Sequence, residues 1–217
     1  PRVTTLLNRE SGLPAFGTAL FQHHAEPHAG ALADFNGDGH LDVATANGGF
    51  GTVSLLLGTG NGALQPPPDP PHLGGQPDSL CHAALDGDGD PDLIVASSAS
   101  RRAVPLINDG NAVFTPGLER IVGSQPMFVL ASDLDGDGTP DLVSTNARSN
   151  DVSVLLNPGD GTLGEPKHYA TDVRPLAVAA ADLTGDGLRD LAVANETSRS
   201  VSMLVNPGDG GVPDSHW

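Results

Sequence analysis

The chain has 217 residues, a formal net charge of −17 at pH 7 and a sequence pI near 4.4. With ten Lys and Arg against 27 Asp and Glu, it offers no basic surface for nucleic acid or for an anionic membrane. No apolar run approaches the roughly 18 residues of a membrane-spanning helix, so we expect no membrane insertion. Cys81 is the single cysteine, which excludes an intrachain disulfide and a cysteine-based zinc site.

The first 24 residues carry a partial repeat. The string at Val3, Val-Thr-Thr-Leu-Leu-Asn, recurs 50 residues later at Val53 as Val-Ser-Leu-Leu-Leu-Gly. In the later repeats such a string follows an acidic loop, and the apolar run predicts the third strand of a four-stranded unit. In a ring of four blades, the segment near residues 19–22 could supply the missing outer strand, and the strand at Val3 would then be left over.

The first complete repeat covers residues 25–74 and contains an acidic nonapeptide that begins at Asp34. Its oxygen groups occupy loop positions 1, 3, 5, 7 and 9, where position 7 offers a backbone carbonyl. They are Asp34, Asn36, Asp38, His40 through its carbonyl, and Asp42. A proline-rich stretch at residues 65–71 falls where the fourth strand should lie. Because proline cannot donate to a strand ladder, an edge strand or a loop is expected there.

The second repeat covers residues 75–123, and its loop begins at Ala84, which has no side-chain oxygen. The remaining candidate ligands are Asp86, Asp88, Asp90 through its carbonyl, and Asp92. The third strand is predicted to begin at Val104, as Val-Pro-Leu-Ile-Asn-Asp. The missing ligand at position 1 predicts weaker cation binding in this loop.

The third repeat, residues 124–172, has a full and more highly charged loop. Its candidate ligands are Asp133, Asp135, Asp137, Thr139 through its carbonyl, and Asp141. The third strand begins at Val152 and ends in a Gly-rich turn, which is a hairpin signal.

The fourth repeat, residues 173–217, has threonine at loop position 3. Its candidate ligands are Asp182, Thr184, Asp186, Leu188 through its carbonyl, and Asp190. The third strand follows at Val201.

The four loops recur at steps of 50, 49 and 49 residues. Each repeat is predicted as strand, acidic loop, strand, turn, strand, turn, strand, and no segment has a sustained 3.6-residue apolar period. Four-stranded units that repeat about every 49 residues indicate an all-β fold of the β-propeller class. We predict one domain over residues 1–217, with four complete loop repeats and a partial N-terminal one, either a whole propeller or a segment of a larger one.

The loop pattern D-x-[DN]-x-D-G-x-x-D predicts calcium binding. Oxygen groups at alternate positions converge when the chain curls tightly, glycine at position 6 permits the turn, and hard oxygen ligands suit Ca²⁺. Up to four ions are expected, with affinity falling from the third loop to the first, fourth and second. An EF-hand is a poor fit, because position 12 is not glutamate and the following residues are β-prone.

The segment from Asp133 to Val143, followed by the strand at Val152, resembles the FG-GAP/VCBS repeat, the calcium-loop blade of integrin-α-like β-propellers. The resemblance extends from Val3 to Asp209. It implies a propeller, usually of seven blades, with calcium between strands of a blade, and a mostly extracellular or secreted setting that includes adhesion receptors, lectins and accessory domains of polysaccharide-active enzymes.

Two hypotheses for function follow. The first is a non-catalytic, calcium-dependent module that binds a protein or glycan, with calcium in a structural role. The second is the propeller domain of a secreted polysaccharide lyase or hydrolase. The only candidate acid–base or metal cluster outside the loops is the group His23, His24, Glu26 and His28. We also expect either self-association or a longer parent chain to complete the ring of blades, because open blade faces are apolar.

Overall fold

The computed structural model describes residues 26–65 and 76–207, together with the backbone of four two-residue strands in the first 25 residues. All regular elements in these residues are β-strands. Among the described residues there is no helix with the length and apolar character needed to cross a membrane.

Two short antiparallel pairs lie in the N-terminal segment. Strand β1 pairs with β4, and β2 pairs with β3. The four strands are Arg2–Val3 (β1), Leu7–Asn8 (β2), Pro14–Ala15 (β3) and Phe21–Gln22 (β4). Val3, the first residue of the predicted strand, thus pairs with Phe21 of the segment near residues 19–22.

Four larger antiparallel sheets follow in chain order. The first contains Pro27–Ala33 (β5), Asp42–Asn47 (β6), Thr52–Gly58 (β7) and Leu64–Gln65 (β8). The second contains Pro77–Ala83 (β9), Asp92–Ser97 (β10), Arg102–Asn108 (β11), Phe114–Pro116 (β12) and Arg120–Ile121 (β13). The third contains Pro126–Ser132 (β14), Asp141–Asn146 (β15), Asp151–Leu155 (β16) and Lys167–Ala170 (β17). The fourth contains Pro175–Ala181 (β18), Asp190–Asn195 (β19) and Ser200–Leu204 (β20).

Each sheet is a meander in which the acidic loop joins the first strand to the second, as the repeats predict. In the second sheet the outer strand is split, and both β12 and β13 pair with β11. Residues 66–75, with most of the proline-rich stretch, lie outside the described residues. Four antiparallel sheets of three to five strands are consistent with a β-propeller.

The third strand of the second repeat, β11, has a register that differs from the predicted one. Ala103 pairs with Ala96, as Val53 pairs with Ala46 and Val152 pairs with Thr145. Ala103 therefore holds the repeat position of Val53 and Val152. The prediction that Val104 holds this position was wrong by one residue. Because side chains alternate along a strand, this shift places Ala103 rather than Val104 on the face that meets the next sheet.

The apolar core is divided among three clusters, and each cluster lies between successive sheets. In β10, Leu93 and Val95 pack with the first sheet, whereas Ile94 and Ala96 pack with the third. Both faces of the strand are covered, so its sequence is a continuous apolar run rather than an alternation. The first strands β5, β9, β14 and β18 lie side by side in that order, so the sheets form a row.

An asparagine at or just after the end of the third strand links the second, third and fourth sheets, each to the sheet before it. The Asn157 Nδ2 donates to the Leu85 carbonyl of the second loop at 2.9 Å and to the Pro140 carbonyl of its own loop at 3.1 Å. Asn108 and Asn206 make the equivalent pairs of bonds. The sequence analysis missed this role, although the recurring asparagine is visible in the repeats.

Candidate metal-binding loops

Position 9 of every loop is a fully buried aspartate that ties the loop to two strands. In the third loop, Asp141 Oδ2 accepts the Leu134 N–H and Oδ1 accepts the Asn157 N–H, both at 2.8 Å. The same two bonds occur at Asp42, Asp92 and Asp190. Asp190 Oδ2 also accepts the Thr184 N–H. The other oxygens each keep a further lone pair in these bonds, which leaves room for a cation.

The aspartate at position 1 holds the loop in its tight turn by accepting backbone N–H groups from within the loop. Asp133 accepts the backbone N–H of Gly136 at 2.8 Å and that of Gly138 at 3.1 Å. Asp182 makes the equivalent pair of bonds with Gly185 and Gly187, whereas Asp34 accepts the N–H groups of Asp38 and Gly39, at positions 5 and 6. The glycines at positions 4 and 6 adopt positive φ in all four loops, a conformation that costs other residues free energy.

The second loop lacks the bonds of position 1, because Ala84 has no acceptor. Its remaining local bonds run from the Asp88 N–H to Asp86 at 3.2 Å and from the Asp90 N–H to Asp88 at 2.9 Å. This observation gives a structural reason, besides the lost ligand, to expect weak cation binding here.

Position 5 accepts the N–H of position 7 in each loop. In the third loop the Thr139 hydroxyl lies 2.6 Å from Asp137 Oδ1 and 2.7 Å from the Asn157 carbonyl. Hydrogen bonds from the Thr139 side chain and backbone hold the pKa of Asp137 below its usual value. The third loop is thus tied to the strand that follows it.

The third loop brings three carboxylates together. One oxygen each of Asp133, Asp135 and Asp141 lies within 4.8 Å of the other two. Calcium binds oxygen at 2.3–2.6 Å, so two oxygens on one ion are at most about 5 Å apart. The donor set and its spacing therefore fit a Ca²⁺ ion. Within the part of the chain that the structure describes, no other group of three acidic, histidine or cysteine side chains converges in this way.

The other three loops place their predicted ligands less closely. In the first loop the Asn36 Nδ2 donates a hydrogen bond to Asp38 Oδ2 at 3.1 Å, so two of the predicted ligands are already bonded to each other. In the fourth loop the predicted ligand Thr184 uses its backbone N–H to reach Asp190 at 3.2 Å.

Burial raises the pKa of Asp141 to about 6, and the nearby Asp135 and Asp137 carboxylates add to this effect. Its hydrogen bonds from Asn157 and Leu134 act in the opposite direction. Burial likewise raises the pKa of Asp42 and Asp92. A bound divalent cation would remove this penalty, since it favours the ionised carboxylate.

The histidine cluster is not assembled into a site in the described residues. His23 and His24 lie outside them, and Glu26 is exposed. The His28 Nδ1 lies 3.4 Å from Asp78 of the second sheet. His28 therefore contacts a neighbouring sheet rather than an acid–base partner in its own segment.

A groove of about 440 Å³ opens beside the third loop, between the first strands of three sheets. It is lined by His82, Ser132, Asp133 and Arg189, among others. These residues come from three different repeats, so no local motif in the sequence signals the groove.

Solved structures share the fold at low sequence identity. A candidate 6-phosphogluconolactonase from Bacteroides uniformis matches with a TM-score of 0.76 and 15% identity, over 98% of this chain and 63% of that one. The periplasmic gluconolactonase of Pseudomonas aeruginosa matches with a TM-score of 0.74 and 18% identity, over 100% and 62%. The Vibrio cholerae biofilm matrix protein Bap1 matches with a TM-score of 0.53 and 18% identity, over 85% and 27%.

The chain thus spans less than two thirds of the length of its first structural neighbours. A search of curated protein sequences finds no relative of the chain. The model of the FG-GAP-like repeat matches three times, at residues 34–95, 85–144 and 133–193. These matches cover all four acidic loops and the sheets between them. The chain therefore belongs to the FG-GAP-like repeat family.

Proposed function

We propose that the chain is a non-catalytic, calcium-stabilised propeller module that binds a protein or glycan outside the cell. The observation that carries the proposal is the convergence of Asp133, Asp135 and Asp141 in the third loop. Three carboxylates this close repel one another, and a divalent cation that accepts only oxygen ligands relieves the repulsion.

Calcium in this site would have a structural role. Asp141 is bonded to Leu134 of its own loop and to Asn157 just after β16, and Asn157 also reaches the preceding loop. An ion held by Asp141 would therefore stabilise the contact between the second and third sheets as well as the loop itself. Asp133 and Asp135 would complete the ligand set from the loop.

The extracellular setting is supported by calcium availability and by two neighbours. Extracellular modules use sites with dissociation constants of about 10⁻⁴–10⁻³ M, which cytosolic calcium would not fill. One neighbour is periplasmic and another is a biofilm matrix protein, although both share only the fold. A protein or a glycan fits the proposal equally, because propellers present loops on two faces for recognition.

Calcium titration with a thermal melt tests the proposal. We expect calcium to raise the melting temperature of the wild-type chain, and a chelator to reverse the shift. Asp135→Ala should remove most of this shift, whereas Glu165→Gln, at an exposed acidic residue outside the loops, should leave it unchanged. A melting temperature that is indifferent to calcium would contradict the proposal.

Single-loop substitutions test the order of affinities. Replacing position 5 with alanine in turn, at Asp137, Asp38, Asp186 and Asp88, should weaken calcium binding most in the third loop and least in the second. The reason is that the third loop holds the converged carboxylates and the second lacks position 1. The largest loss at Asp88 would refute this order. Glycan-array binding in the presence of calcium then separates glycan from protein ligands.

A second candidate function is hydrolysis of a small lactone or of a polysaccharide. The observation that favours it is the groove with His82, Ser132 and Arg189, in a fold shared with gluconolactonases. Turnover of 6-phosphogluconolactone, or release of sugar from polysaccharides, would support an enzyme if His82→Ala abolished it and His28→Ala did not. Absence of turnover on both substrate classes would leave the binding module as the function.

A further inference from the structure

The first acidic loop contains an Asn-Gly step, at positions 3 and 4, formed by Asn36 and Gly37. In such a step the backbone nitrogen of the glycine can attack the side-chain amide carbon of the asparagine. Glycine favours this attack because it has no Cβ to hinder the approach. The chain has two further Asn-Gly steps, which begin at Asn47 and Asn61, but both lie outside the acidic loops.

The nitrogen of Gly37 is free to attack, because its N–H has no hydrogen-bond partner among the described residues. In the third and fourth loops the N–H at this position donates to the aspartate at position 1, from Gly136 at 2.8 Å and from Gly185 at 2.6 Å. In the first loop Asp34 accepts the N–H groups of positions 5 and 6 instead. Gly37 is also exposed. The first loop therefore leaves unprotected a nitrogen that the third and fourth loops hold.

The Asn36 side chain is turned toward the same stretch of backbone. Its Oδ1 accepts the Asp38 N–H at 3.1 Å, and its Nδ2 donates to Asp38 Oδ2 at 3.1 Å. The bond to the N–H two residues further on folds the side chain back over the intervening peptide, as in an Asx turn. Asn36 is half-buried and the four residues after it are exposed, so water has access to the loop. The amide carbon and the Gly37 nitrogen thus lie on the same side of the chain.

Asn47 is held in the opposite way. It is buried, and its Nδ2 donates to the hydroxyls of Thr52 at 3.2 Å and Ser54 at 2.8 Å. The nitrogen that would attack it, that of Gly48, donates to the Glu26 carbonyl at 2.9 Å. Reaction at this step requires a local opening that breaks these bonds. Asn47 therefore provides an unreactive comparison within the same sheet.

We propose that Asn36 is a site of spontaneous deamidation, which converts the first loop to the charge pattern of the third. The Gly37 nitrogen gives up its proton and bonds to Asn36 Cγ, and the amide nitrogen takes up a proton and leaves as ammonia, so that a succinimide ring forms. Water then opens the ring. Addition of water at Cγ breaks the bond from Cγ to the Gly37 nitrogen and yields aspartate. Addition at the main-chain carbonyl carbon yields isoaspartate, with one more carbon in the backbone.

The two products have opposite effects on calcium, a consequence that rests on the proposed function. Aspartate gives position 3 the carboxylate that Asp135 supplies in the third loop, where it converges with Asp133 and Asp141. It also removes the amide that bonds Asp38 in the first loop. Calcium binding should therefore strengthen. Isoaspartate lengthens the backbone between positions 3 and 4 and displaces position 3 from the other ligands, so calcium binding should weaken.

Peptide mass spectrometry of the aged chain tests the site. The folded wild-type chain is incubated at neutral pH with a chelator, digested with pepsin and analysed for the mass increase of an amide that becomes an acid. We expect Asn36 to react at least about tenfold faster than Asn47, because the bonds that hold Asn47 and Gly48 must break first. In urea the two rates should be similar, since neither step is then held by the fold. Equal rates in the folded chain, or no reaction at Asn36, would overturn the assignment.

Two variants separate the modification from its consequence. Asn36→Gln keeps the amide but requires a larger ring, so the reaction at this position should disappear. Asn36→Asp supplies the aspartate product alone, and in an Asp135→Ala background, where the third loop is weakened, it should bind calcium about tenfold more tightly than the same chain with Asn36. Reaction at Asn36 in a chain that takes up no calcium would refute the proposed function and support the modification. Calcium uptake without reaction at Asn36 would do the reverse.

Discussion

At the scale of single residues, two aspartates of one loop have different tasks. Asp141 is fully buried and accepts backbone N–H groups from loop residue Leu134 and from Asn157, just after β16. Asp135 is only half-buried and accepts the N–H of Asp137 inside the loop. Asp141 thus supports the scaffold whether or not a cation is bound. Asp135 makes no such bond to the scaffold, so under the proposed function its main role is that of a cation ligand.

Substitution of these two residues in the presence of chelator separates the tasks. Asp141→Ala leaves two buried N–H groups without acceptors, and we expect it to lower the free energy of unfolding by about 2–4 kcal/mol. Asp135→Ala should change it by less than about 1 kcal/mol under the same conditions. Urea denaturation measures both values, and equal losses would contradict the division.

The pKa of Asp141 predicts a pH dependence. The pKa is about 6 in the folded chain and 3.8 when unperturbed, so the folded state favours the protonated form. Its contribution to the stability of the metal-free chain is fully present below about pH 3.8 and is lost as the pH rises through about 6. Asp42 and Asp92 shift in the same direction.

Calcium requires the ionised carboxylate, so its affinity has the opposite pH dependence. Below about pH 6 we expect the dissociation constant of the third loop to rise by up to tenfold per pH unit, because one proton must leave. Calorimetric titrations from about pH 7 to about pH 5 measure this change. A dissociation constant that stays level over that range would refute the assignment of Asp141 as a ligand.

At the scale of elements, two positions of the loop have separate roles. Position 1 holds the tight turn of the loop, and position 9 attaches the loop to the residue at the end of the third strand. The second loop keeps its attachment through Asp92 but has lost its winding residue at Ala84. Its strands and their register remain those of the other sheets, so the sheet does not depend on position 1.

Restoration of position 1 therefore gives a gain-of-function experiment. Ala84→Asp should accept N–H groups at loop positions 4 and 6, Gly87 and Gly89, and add the missing ligand. We expect calcium affinity in the second loop to increase about tenfold or more. Ala83→Asp, one residue earlier on the strand, is the control and should add no site. Unchanged calcium affinity in Ala84→Asp would contradict the role of position 1.

At the scale of the whole molecule, the negative charge is concentrated in the loops. Fourteen of the 27 acidic residues lie in the four nonapeptides, and the other acidic residues nearly balance the ten basic ones. Four bound Ca²⁺ would change the net charge from −17 to about −9. The acidic composition thus reflects the proposed ion sites rather than a generally acidic surface.

This distribution predicts that the effect of salt on the melting temperature depends on whether calcium is bound. Without calcium, repulsion within the loops should lower the melting temperature at low ionic strength, and added sodium chloride should raise it by screening. With calcium bound, the same salt should have a smaller effect. Thermal melts in choline chloride serve as the control for specific ion effects, and a salt effect that is equal in both states would oppose this account.

The sequence by itself determined the elements and the candidate ligands, because both depend on local patterns. Repeat spacing predicted the order of strands and loops, and oxygen groups at alternate positions predicted the calcium ligands from Asp34 to Asp190. Family membership follows from the same motifs. The partial N-terminal repeat was recognised from a single six-residue string, and Val3 and Leu7–Asn8 of that string lie in short strands.

Only the tertiary structure decided what depends on contacts between repeats. It moved the third strand of the second repeat to Ala103, showed that Asn157 reaches the Leu85 carbonyl, and gathered three carboxylates in the third loop alone among the described residues. Strand register is set by pairing with a neighbour, and a hydrogen bond over 72 residues joins atoms that are distant in sequence. A string of residues specifies which groups are present, whereas the packing of one sheet on the next determines which of them meet.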